Sequence, residues 1–448
     1  MKSKEVIATG LLCCIMLSSV LSSCNTVMEH GEGTGRDNAL FDSGDSSGNN
    51  AVTVDVQTDA PDTEGRVVTN SSSDTDAVRF SFVAAGDNVI HESVFVDAKN
   101  RAVSAASTGT YSGTYYFDEM YLGIKDLISS AGIAYINQEG PVAGDSLGVS
   151  GYPAFNAPEE IGDALINTGF DIINLANNHM LDMDTSSRTG YKNTIDYWKT
   201  KNVMTIGAYE NEDDYNTIRI FEKDGIKIAL LSYTYGTNGN KLSSASPGLI
   251  VPYIDKTVIT RHINAAKDQA DLVFVSMHWG LDTAGSSFNN YPTDDQKELA
   301  QFIADLGADV IIGMHPHVIQ PMTWLTGESG NKTLVTYSIG NLLSTMLHIY
   351  NNVGGILSFD VVKDKSGNVY IDAPYFLPVV CHYTADTSVV DSQGYATRSG
   401  LSLYMLEDYT DELVSNHGSK VYDSFTLDTI YGYVTDTIST EFLPDYLK

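Results

Sequence analysis

The stretch FDIINLANNHMLD, residues 170–182, decides how the rest of the sequence is interpreted. Its apolar beginning has the length and composition of a buried strand, and polar residues follow directly. Open α/β sheets bind ligands just beyond the carboxyl ends of their strands. We therefore expect this strand to deliver Asn177, Asn178, His179 and Asp182 to a functional edge.

Short apolar runs alternate with helical patterns from residue 78 onward, an order typical of βαβ units. The patterns predict strands at 79–85, 134–136, 171–175, 204–206, 272–277, 309–312 and 333–337, and helices at 121–130, 158–168, 190–201, 257–269 and 294–306. Two antiparallel hairpins are expected, 218–221 with 226–233 through Asp224-Gly225, and 356–362 with 369–377. We expect an α/β domain at 78–385 and a C-terminal extension, 386–448, which has a helical pattern at 403–418 and packs on the core.

Composition narrows the functional classes. With 448 residues and 42% hydrophobic content, the chain can bury a large core. The formal net charge of −31 argues against nucleic-acid binding, because a phosphate backbone attracts Lys and Arg and is repelled by an acidic surface.

The N-terminal residues have the pattern of an export signal. Lys2 and Lys4 precede the apolar run 6–20, and the sequence LSSC, which ends at Cys24, resembles a bacterial lipobox. We expect a lipoprotein signal peptide at 1–23, lipidation of Cys24, and an extracytoplasmic protein held on the cell membrane. An ordinary signal peptide or a transmembrane anchor are the alternatives, although the run is short for a spanning helix of ~20 residues. Residues 24–77, rich in Gly, Ser, Thr and Asp, are expected to form a flexible acidic linker.

Cysteine usage agrees with export without disulfides. Cys13 and Cys14 lie in the signal segment and Cys24 would carry lipid, so Cys381 would be the only free thiol left in the mature chain. The fold must then be held by its core, with help from metal.

Polar clusters follow several of the predicted strands. Five of the ten histidines lie at or just past strand ends, together with carboxylates and an amide: His91, His179, His278, His315 and His317, with Asp87, Glu139 and Asn178. A single histidine at such a position is usually structural, whereas imidazole, carboxylate and amide together form a ligand set for Zn, Mn or Fe. A carboxylate shared by two ligand groups would give two cations ~3.5–4 Å apart.

The blocks GD-N-x-x-H, N-x-E, ANNH-x-x-D, HWG, G-x-HPHV and YSIGN, in this order, resemble the CapA-type capsule (poly-γ-glutamate) synthesis family of the metallophosphatase (calcineurin-like phosphoesterase) superfamily. The resemblance implies a four-layer α/β/β/α sandwich with mixed sheets and two divalent metal ions, either Mn, Fe or Zn. It assigns one cation to Asp87, His91 and His317, the other to Asn178, His278 and His315, and a bridging position to Glu139.

The same resemblance makes His179 the acid that protonates a leaving oxygen and Asp182 the carboxylate that orients it. Five further residues are expected to contact substrate or support the ligands: Asn137, Asn177, Asp282, Ser338 and Asn341. The remaining histidines are expected to be solvated or structural, with His348 close enough to YSIGN to support the site.

The sequence departs from the resembled pattern at several positions. The first aspartate and histidine are more widely spaced, at Asp87 and His91, and Glu139 replaces the usual bridging aspartate. Asp282 and Asp184 stand where Glu and Gly are common.

These features lead to three functional hypotheses. The first is a metal-dependent hydrolase or transferase that acts on a phosphoester or an amide-linked anionic polymer. The second is a non-catalytic accessory lipoprotein that helps the membrane components of a poly-γ-glutamate synthase. The third is a ligand-binding lipoprotein, which would need a cleft but not two cations.

Overall fold

The computed structural model describes residues 52–54, 77–282 and 290–448. The predicted signal peptide, Cys24 and most of the linker 24–77 lie outside the described residues. Within the linker range, Val52–Val54 forms a short strand that pairs in parallel with Arg219–Phe221, which the sequence did not predict.

Strands are numbered here in chain order. They are β1 (Val52–Val54), β2 (Val78–Val89), β3 (Ile133–Glu139), β4 (Ile172–Asn174), β5 (Met204–Ile206), β6 (Arg219–Lys223), β7 (Ile226–Thr234), β8 (Leu272–His278), β9 (Val310–Met314), β10 (Gln320–Thr326), β11 (Lys332–Ser338), β12 (Asn341–Leu343), β13 (Val353–Lys363), β14 (Val369–Val390) and β15 (Ala396–Met405). The α-helices are α1 (Glu92–Thr108), α2 (Leu122–Ser130), α3 (Glu160–Thr168), α4 (Gly190–Lys199), α5 (Glu212–Asn216), α6 (Lys256–Lys267), α7 (Asp294–Asp305), α8 (Asp411–Asn416) and α9 (Leu427–Thr435). Among the described residues, no helix is both long and apolar enough to cross a membrane.

The strands form two mixed sheets. Sheet I has the order β1-β6-β7-β8-β9-β11-β10, and sheet II has the order β15-β14-β13-β2-β3-β4-β5, with β12 paired to β2. In sheet II, β2 to β5 run parallel while β13 pairs antiparallel with β2. The strands that the sequence predicts at 79–85, 134–136 and 272–277 therefore lie near the middle of the two sheets.

The sheets pack face to face, with helices on both outer faces. Phe82 of sheet II lies 5.1 Å from Phe274 of sheet I and 5.1 Å from Phe359 on β13, measured between ring centroids, in the core between the sheets. Helices α1 to α4 cover the outer face of sheet II, and α6 and α7 cover that of sheet I. The predicted four-layer α/β/β/α sandwich is confirmed.

Strand register brings polar residues to one edge of the sheets. Asp87 on β2 is aligned with Asn137 on β3, and Asn137 with Asn174 on β4. In sheet I, His278 at the end of β8 is aligned with Met314 at the end of β9. The residues that follow these ends therefore start from the same side of the sandwich.

Two blocks of the sequence meet through a glycine contact. A Cβ on Gly86 would stand 1.9 Å from the carbonyl oxygen of Gly340, and the N–H of Asp87 donates to that same oxygen at 3.0 Å. Gly340 itself has φ of 79°, which favours glycine. The absence of side chains at both positions lets the strand carrying Asp87 lie against the YSIGN turn.

The structure corrects several expectations. Helix α1 and strands β10 and β12 were not predicted, and residues 403–405 of the helical pattern belong to β15, which leaves only α8 as α-helix within 403–418. The expected boundary at residue 385 falls inside β14, which pairs along its length with β13 and β15. Phe425, Ile430 and Phe442 of the extension belong to the core between the sheets.

We predict that Gly86→Ala destabilises the protein by roughly 2–3 kcal/mol, because the added methyl group must displace backbone rather than a flexible side chain. Chemical denaturation in the presence of a chelator measures this effect without a contribution from bound metal. Gly432→Ala, in α9, is the matched control: nothing lies within 4 Å of its Cβ position, and we expect a gain of roughly 0.5–1 kcal/mol. An unchanged unfolding midpoint for Gly86→Ala would contradict the close contact.

Candidate metal centre

Acidic and imidazole side chains from both sheets converge at the edge where the strands end. Asp87 lies on β2 and Glu139 at the end of β3, while His278 ends β8 and His315 and His317 follow β9. All five are buried. Two groups of three offer ligand atoms within 4.8 Å of one another: Glu139 with His315 and His317, and Asp87 with Glu139 and His278. Glu139 is common to both groups.

The hydrogen bonding of this cluster is incomplete in a way that fits a cation. Among the described residues, neither carboxylate oxygen of Glu139 has a hydrogen-bond partner, nor do the Nδ1 atoms of His278 and His315. The nearest imidazole nitrogens to Glu139 Oε1 are Nε2 of His317 at 3.6 Å and Nε2 of His278 at 4.0 Å, too long for hydrogen bonds. A buried carboxylate without donors is costly, and a divalent cation removes that cost. Oxygen and nitrogen donors without thiolate suit Mn, Fe or Zn.

A chain of amides positions Asp87. Asn137 donates from Nδ2 to Asp87 Oδ1 at 2.7 Å, and Asn174 donates to Asn137 Oδ1 at 2.7 Å. Ser232, on β7 of the other sheet, donates to Asn174 Oδ1 at 2.5 Å. Asn174 and Ser232 were not predicted as site residues. Asn174 could have been found from its place at the end of an apolar strand, whereas nothing in the sequence pairs it with Ser232.

The HPH turn is held in a strained backbone conformation. His315 has φ of 98° and His317 has φ of 56°, values that non-glycine residues rarely adopt. The His315 N–H donates to Asp87 Oδ2 at 3.1 Å, and Asn351 donates to the His317 carbonyl oxygen at 2.9 Å. His317 Nδ1 lies 2.8 Å from Asn341 Oδ1. These contacts turn both imidazoles toward Glu139.

The ANNH segment supplies an amide and a histidine to the same place. Asn177 accepts from the N–H groups of His179 and Gly140 and donates to the Gln138 carbonyl oxygen, so its side chain fastens the segment to the end of β3. Asn178 Oδ1 lies 2.9 Å from His278 Nε2. Two atoms that bind the same cation with bonds of about 2.0–2.2 Å also lie about 3 Å apart. The separation of Asn178 Oδ1 and His278 Nε2 is therefore compatible with both residues binding one cation.

His179 is paired with an acidic side chain beside this cluster. Its Nδ1 lies 2.6 Å from Asp182 Oδ2, which also accepts the Phe155 N–H at 2.9 Å. The Phe155 ring packs edge-on against the imidazole, with ring centroids 4.7 Å apart. Because Asp182 occupies Nδ1, Nε2 is the ring nitrogen left to act on a ligand.

The sequence of this chain matches a known family over most of the region just described. The family model described as "Bacterial capsule synthesis protein PGA_cap" matches residues 81–346. The chain belongs to this family.

Curated relatives of the capsule synthesis family are only partly aligned. The chain is 34% identical over 193 residues to "Capsule biosynthesis protein CapA" of Bacillus anthracis and 33% identical over 205 residues to "PGA biosynthesis protein CapA" of Bacillus subtilis (strain 168). The alignments cover 42% and 45% of this chain and 43% and 50% of those proteins, so the chain spans about half the length of the curated relatives it matches. Among solved structures, the NAD nucleotidase NadN of Haemophilus influenzae aligns over 83% of this chain and 65% of that one, with 13% identity and a TM-score of 0.39.

His91, Asp282 and Ser338 belong to neither triad, although His91 and Asp282 line the same cavity as Glu139, His179 and His317. His91 is partly exposed next to α1 and accepts the Thr345 N–H at Nδ1, 3.3 Å away. Asp282 is exposed, and Ser338 is buried with its hydroxyl accepting the Gly340 N–H. The division of ligands between two cations stays a prediction. His348, which pairs with Asp423, and the buried His262, His382 and His417 have hydrogen-bond partners within the fold.

A cavity of about 280 Å³ opens beside the cluster. Glu139, His179 and His317 line it, and so do Tyr395 and Arg398, which lie far from them along the chain. The last two lie beyond the residues that the capsule synthesis family model matches. Sequence reasoning missed the contribution of Tyr395 and Arg398, because only the pairing of β15 with β14 brings them to the cavity.

Burial and mutual charge set the protonation of the cluster. Burial, and then the neighbouring imidazoles, lower the pKa values of His278 and His315 well below the ordinary range, so both rings are neutral and ready to bind a cation. Burial also lowers the pKa of His317, but the charges of Glu139 and Asp87 more than offset it and raise that pKa to about 10. Burial raises the pKa of Glu139 well above its ordinary value. The cation-free cluster therefore retains a proton at neutral pH.

We predict that cation affinity rises with pH in this member of the capsule synthesis family. A proton on His317 competes with the cation up to a pH of about 10, so the affinity increases by at most about tenfold per pH unit below that value. Calorimetric titration of the chelator-treated protein with Mn²⁺ between pH of about 6.5 and about 8.5 measures the slope. His348→Gln, which changes a histidine outside the triads, should leave the slope as in the parent. A parent affinity that does not change with pH would contradict this protonation scheme.

Proposed function

We propose that this protein is a lipid-anchored, metal-dependent hydrolase of the phosphoesterase type that acts in the synthesis or export of a poly-γ-glutamate capsule. The observation that carries the proposal is the buried carboxylate of Glu139, which finds no hydrogen-bond partner in the part of the chain that the structure describes. It is shared by two triads beside the His179–Asp182 pair. A purely structural cation site would not need this adjacent proton donor.

The donor set indicates which residues would hold metal. Glu139, His315 and His317 lie close enough to share a cation, as do Asp87, Glu139 and His278, with Asn178 next to His278. This grouping by distance differs from the division that the family resemblance implies, which places His317 with Asp87 and His315 with His278. Divalent cations bound there would supply Lewis acidity and neutralise negative charge at the reacting centre. Metal ions also change the sign of the local potential, so an anionic substrate can approach despite the net charge of −31.

The remaining chemistry belongs to His179. Its Nδ1 is held by Asp182, so a protonated ring can donate from Nε2 to a leaving oxygen or nitrogen in the cavity that it lines. The carboxylate fixes the orientation of the ring. The Phe155 ring packs edge-on against the His179 imidazole and limits its rotation.

Family membership and the names of the relatives support the capsule role. Both curated relatives are named for capsule or PGA biosynthesis. The substrate would be a phosphoester or the amide-linked polymer, and the membrane components of a synthase would be the partners. A non-catalytic accessory role in the same assembly is the second candidate, which the partial alignment to these relatives keeps open.

We predict that the purified protein contains about two equivalents of Mn, Fe or Zn by elemental mass spectrometry. Glu139→Gln should lose metal, because it removes the shared charge while keeping the shape of the side chain. His179→Gln should keep the metal and lower turnover by roughly 10²–10⁴-fold, the usual contribution of a general acid.

Turnover is followed with two probes, bis(4-nitrophenyl) phosphate for phosphoester hydrolysis and poly-γ-glutamate, by its chain length, for amide hydrolysis. Bound metal with no turnover of either probe favours the accessory role. A protein without metal after reconstitution contradicts the metal-dependent proposal.

We predict that Cys24→Ala moves the protein from the membrane fraction to the soluble exported fraction, because a lipidated Cys24 would be its attachment. Cell fractionation, with metabolic labelling by a fatty acid, checks this. Cys381→Ala is the matched control, since Cys381 is buried within the fold and its substitution should change neither the label nor the fraction. Continued membrane association and labelling of Cys24→Ala would contradict lipid anchoring.

A further inference from the structure

The loop after β7 contacts the candidate centre through two asparagines that have no assigned role. Asn178 donates from Nδ2 to Asn238 Oδ1 at 3.3 Å, and Asn240 donates from Nδ2 to Asp182 Oδ1 at 3.1 Å. Asn238 therefore contacts the residue next to His179 in sequence, and Asn240 contacts the carboxylate that is paired with His179. We refer to residues 235–240 as the asparagine loop.

The backbone of the asparagine loop is fixed at both ends. The Tyr235 N–H donates to the His278 carbonyl oxygen at 3.0 Å, and Thr237 and Asn240 close a turn through two bonds of 2.8 Å. Just beyond it, Asp184 accepts the Ser243 N–H at 3.0 Å. The loop is thereby attached to β8 and to the segment that follows the ANNH block, so its side chains are held in place relative to the centre.

Asn238 sets the orientation of the Asn178 amide. An amide can serve a cation only through its oxygen, and the two ends of an asparagine side chain have nearly the same shape. Because Asn238 Oδ1 accepts the Asn178 NH₂ group, Asn178 Oδ1 is directed to His278 Nε2, 2.9 Å away. Asn238 has φ of 53°, a conformation that Asn tolerates better than most residues.

Asn240 acts on the other half of the site. Asp182 receives the Phe155 N–H and His179 at Oδ2, and the Asn240 amide at Oδ1. Both oxygen atoms are therefore directed by donors, and the carboxylate can hold the His179 Nδ1–H in one geometry. Asn238 Nδ2 is 3.4 Å and 3.5 Å from the two ring nitrogens of His179, distances too long for strong hydrogen bonds, so it lies along the ring without competing with Asp182.

We infer that Asn238 and Asn240 are positioning residues with separate tasks: Asn238 presents the Asn178 oxygen to the cation, and Asn240 orients the Asp182–His179 pair. The inference rests on the proposed function for its link to catalysis. Neither asparagine touches the reacting atoms, so each acts through the residue that it holds.

Single variants separate the two tasks. Asn238→Gly keeps the left-handed backbone and should weaken Mn²⁺ binding by roughly tenfold, whereas Asn238→Asp, which retains an acceptor oxygen, should restore it. Asn240→Ala should bind Mn²⁺ as the parent does and lower kcat by roughly tenfold to a hundredfold with little change in KM, and Asn240→Gln should recover part of the loss. Asn264→Ala, which removes an exposed amide on α6 away from the site, is the control and should change neither quantity.

Titration of the full-length, chelator-treated protein with Mn²⁺ and turnover of bis(4-nitrophenyl) phosphate provide the two readouts. A third readout needs no metal: nuclear magnetic resonance of the ¹⁵N-labelled imidazoles, with His179→Gln to assign the His179 Nδ1–H signal. That proton should exchange with water faster in Asn240→Ala than in the parent and should be unaffected in Asn264→Ala.

The outcomes distinguish this inference from the proposed function. Parent-like Mn²⁺ binding by Asn238→Gly, or parent-like proton exchange in Asn240→Ala, would overturn the corresponding task. If Asn240→Ala loses metal rather than turnover, the two asparagines do not have separate tasks. If the parent itself neither binds Mn²⁺ nor turns over the probe, the proposed function fails, and the proton exchange rates in the cation-free protein still decide the role of Asn240.

Discussion

Glu139 carries a carboxylate to the edge between two packed sheets, where no hydrogen-bond donor of the described residues reaches either oxygen. Such a group is expensive to bury, and the surrounding structure reduces its cost only partly through His317, 3.6 Å away. The pKa values of Glu139 and His317 are both raised because the buried negative charge lacks hydrogen-bond donors, and a shared proton or a cation neutralises that charge. The fold must therefore hold this part of the site rigidly, because a small outward movement would let water satisfy the carboxylate instead.

Rigidity comes from polar contacts that cross between the sheets. The Tyr135 hydroxyl lies 2.7 Å from the Ser276 hydroxyl, and Ser232 reaches Asn174 from the opposite sheet. Aromatic rings pack directly behind these bonds, as in the contact of Phe82 with Phe274. The two sheets are thus fixed relative to each other near the place where each contributes ligands, so a site divided between them keeps its geometry.

Sequence reasoning succeeded where local chemistry determines the outcome. The Asp224-Gly225 turn has positive φ at both residues, as a two-residue hairpin requires, and the helix at 294–306 begins with a capping box at Thr293. The histidines and carboxylates of the cluster were singled out because each ends or follows an apolar run that suits a strand, and the structure brings five of them together. Helix α1 was missed since its first turn, with Val94 and Val96 on either side of Phe95, also suits a strand.

The rest of the site depends on contacts between residues far apart in sequence. No local pattern indicates that Arg398 approaches the cavity, because its position follows from the pairing of β15 with β14 and from its bonds to Thr345 and Ser93. Likewise, the Asn178–Asn238 bond joins residues 60 positions apart. Such contacts are set by how the layers pack, and the boundary expected at residue 385 falls inside β14 for the same reason.

The direction of β2 has a consequence for how the molecule faces its surroundings. The strand runs from Val78 to Val89 and ends beside the cavity, so at a rise of about 3.3 Å per residue its first residue lies roughly 36 Å away, at the opposite end of the sandwich. The chain therefore enters β2 at the end of the sandwich that is remote from the cavity.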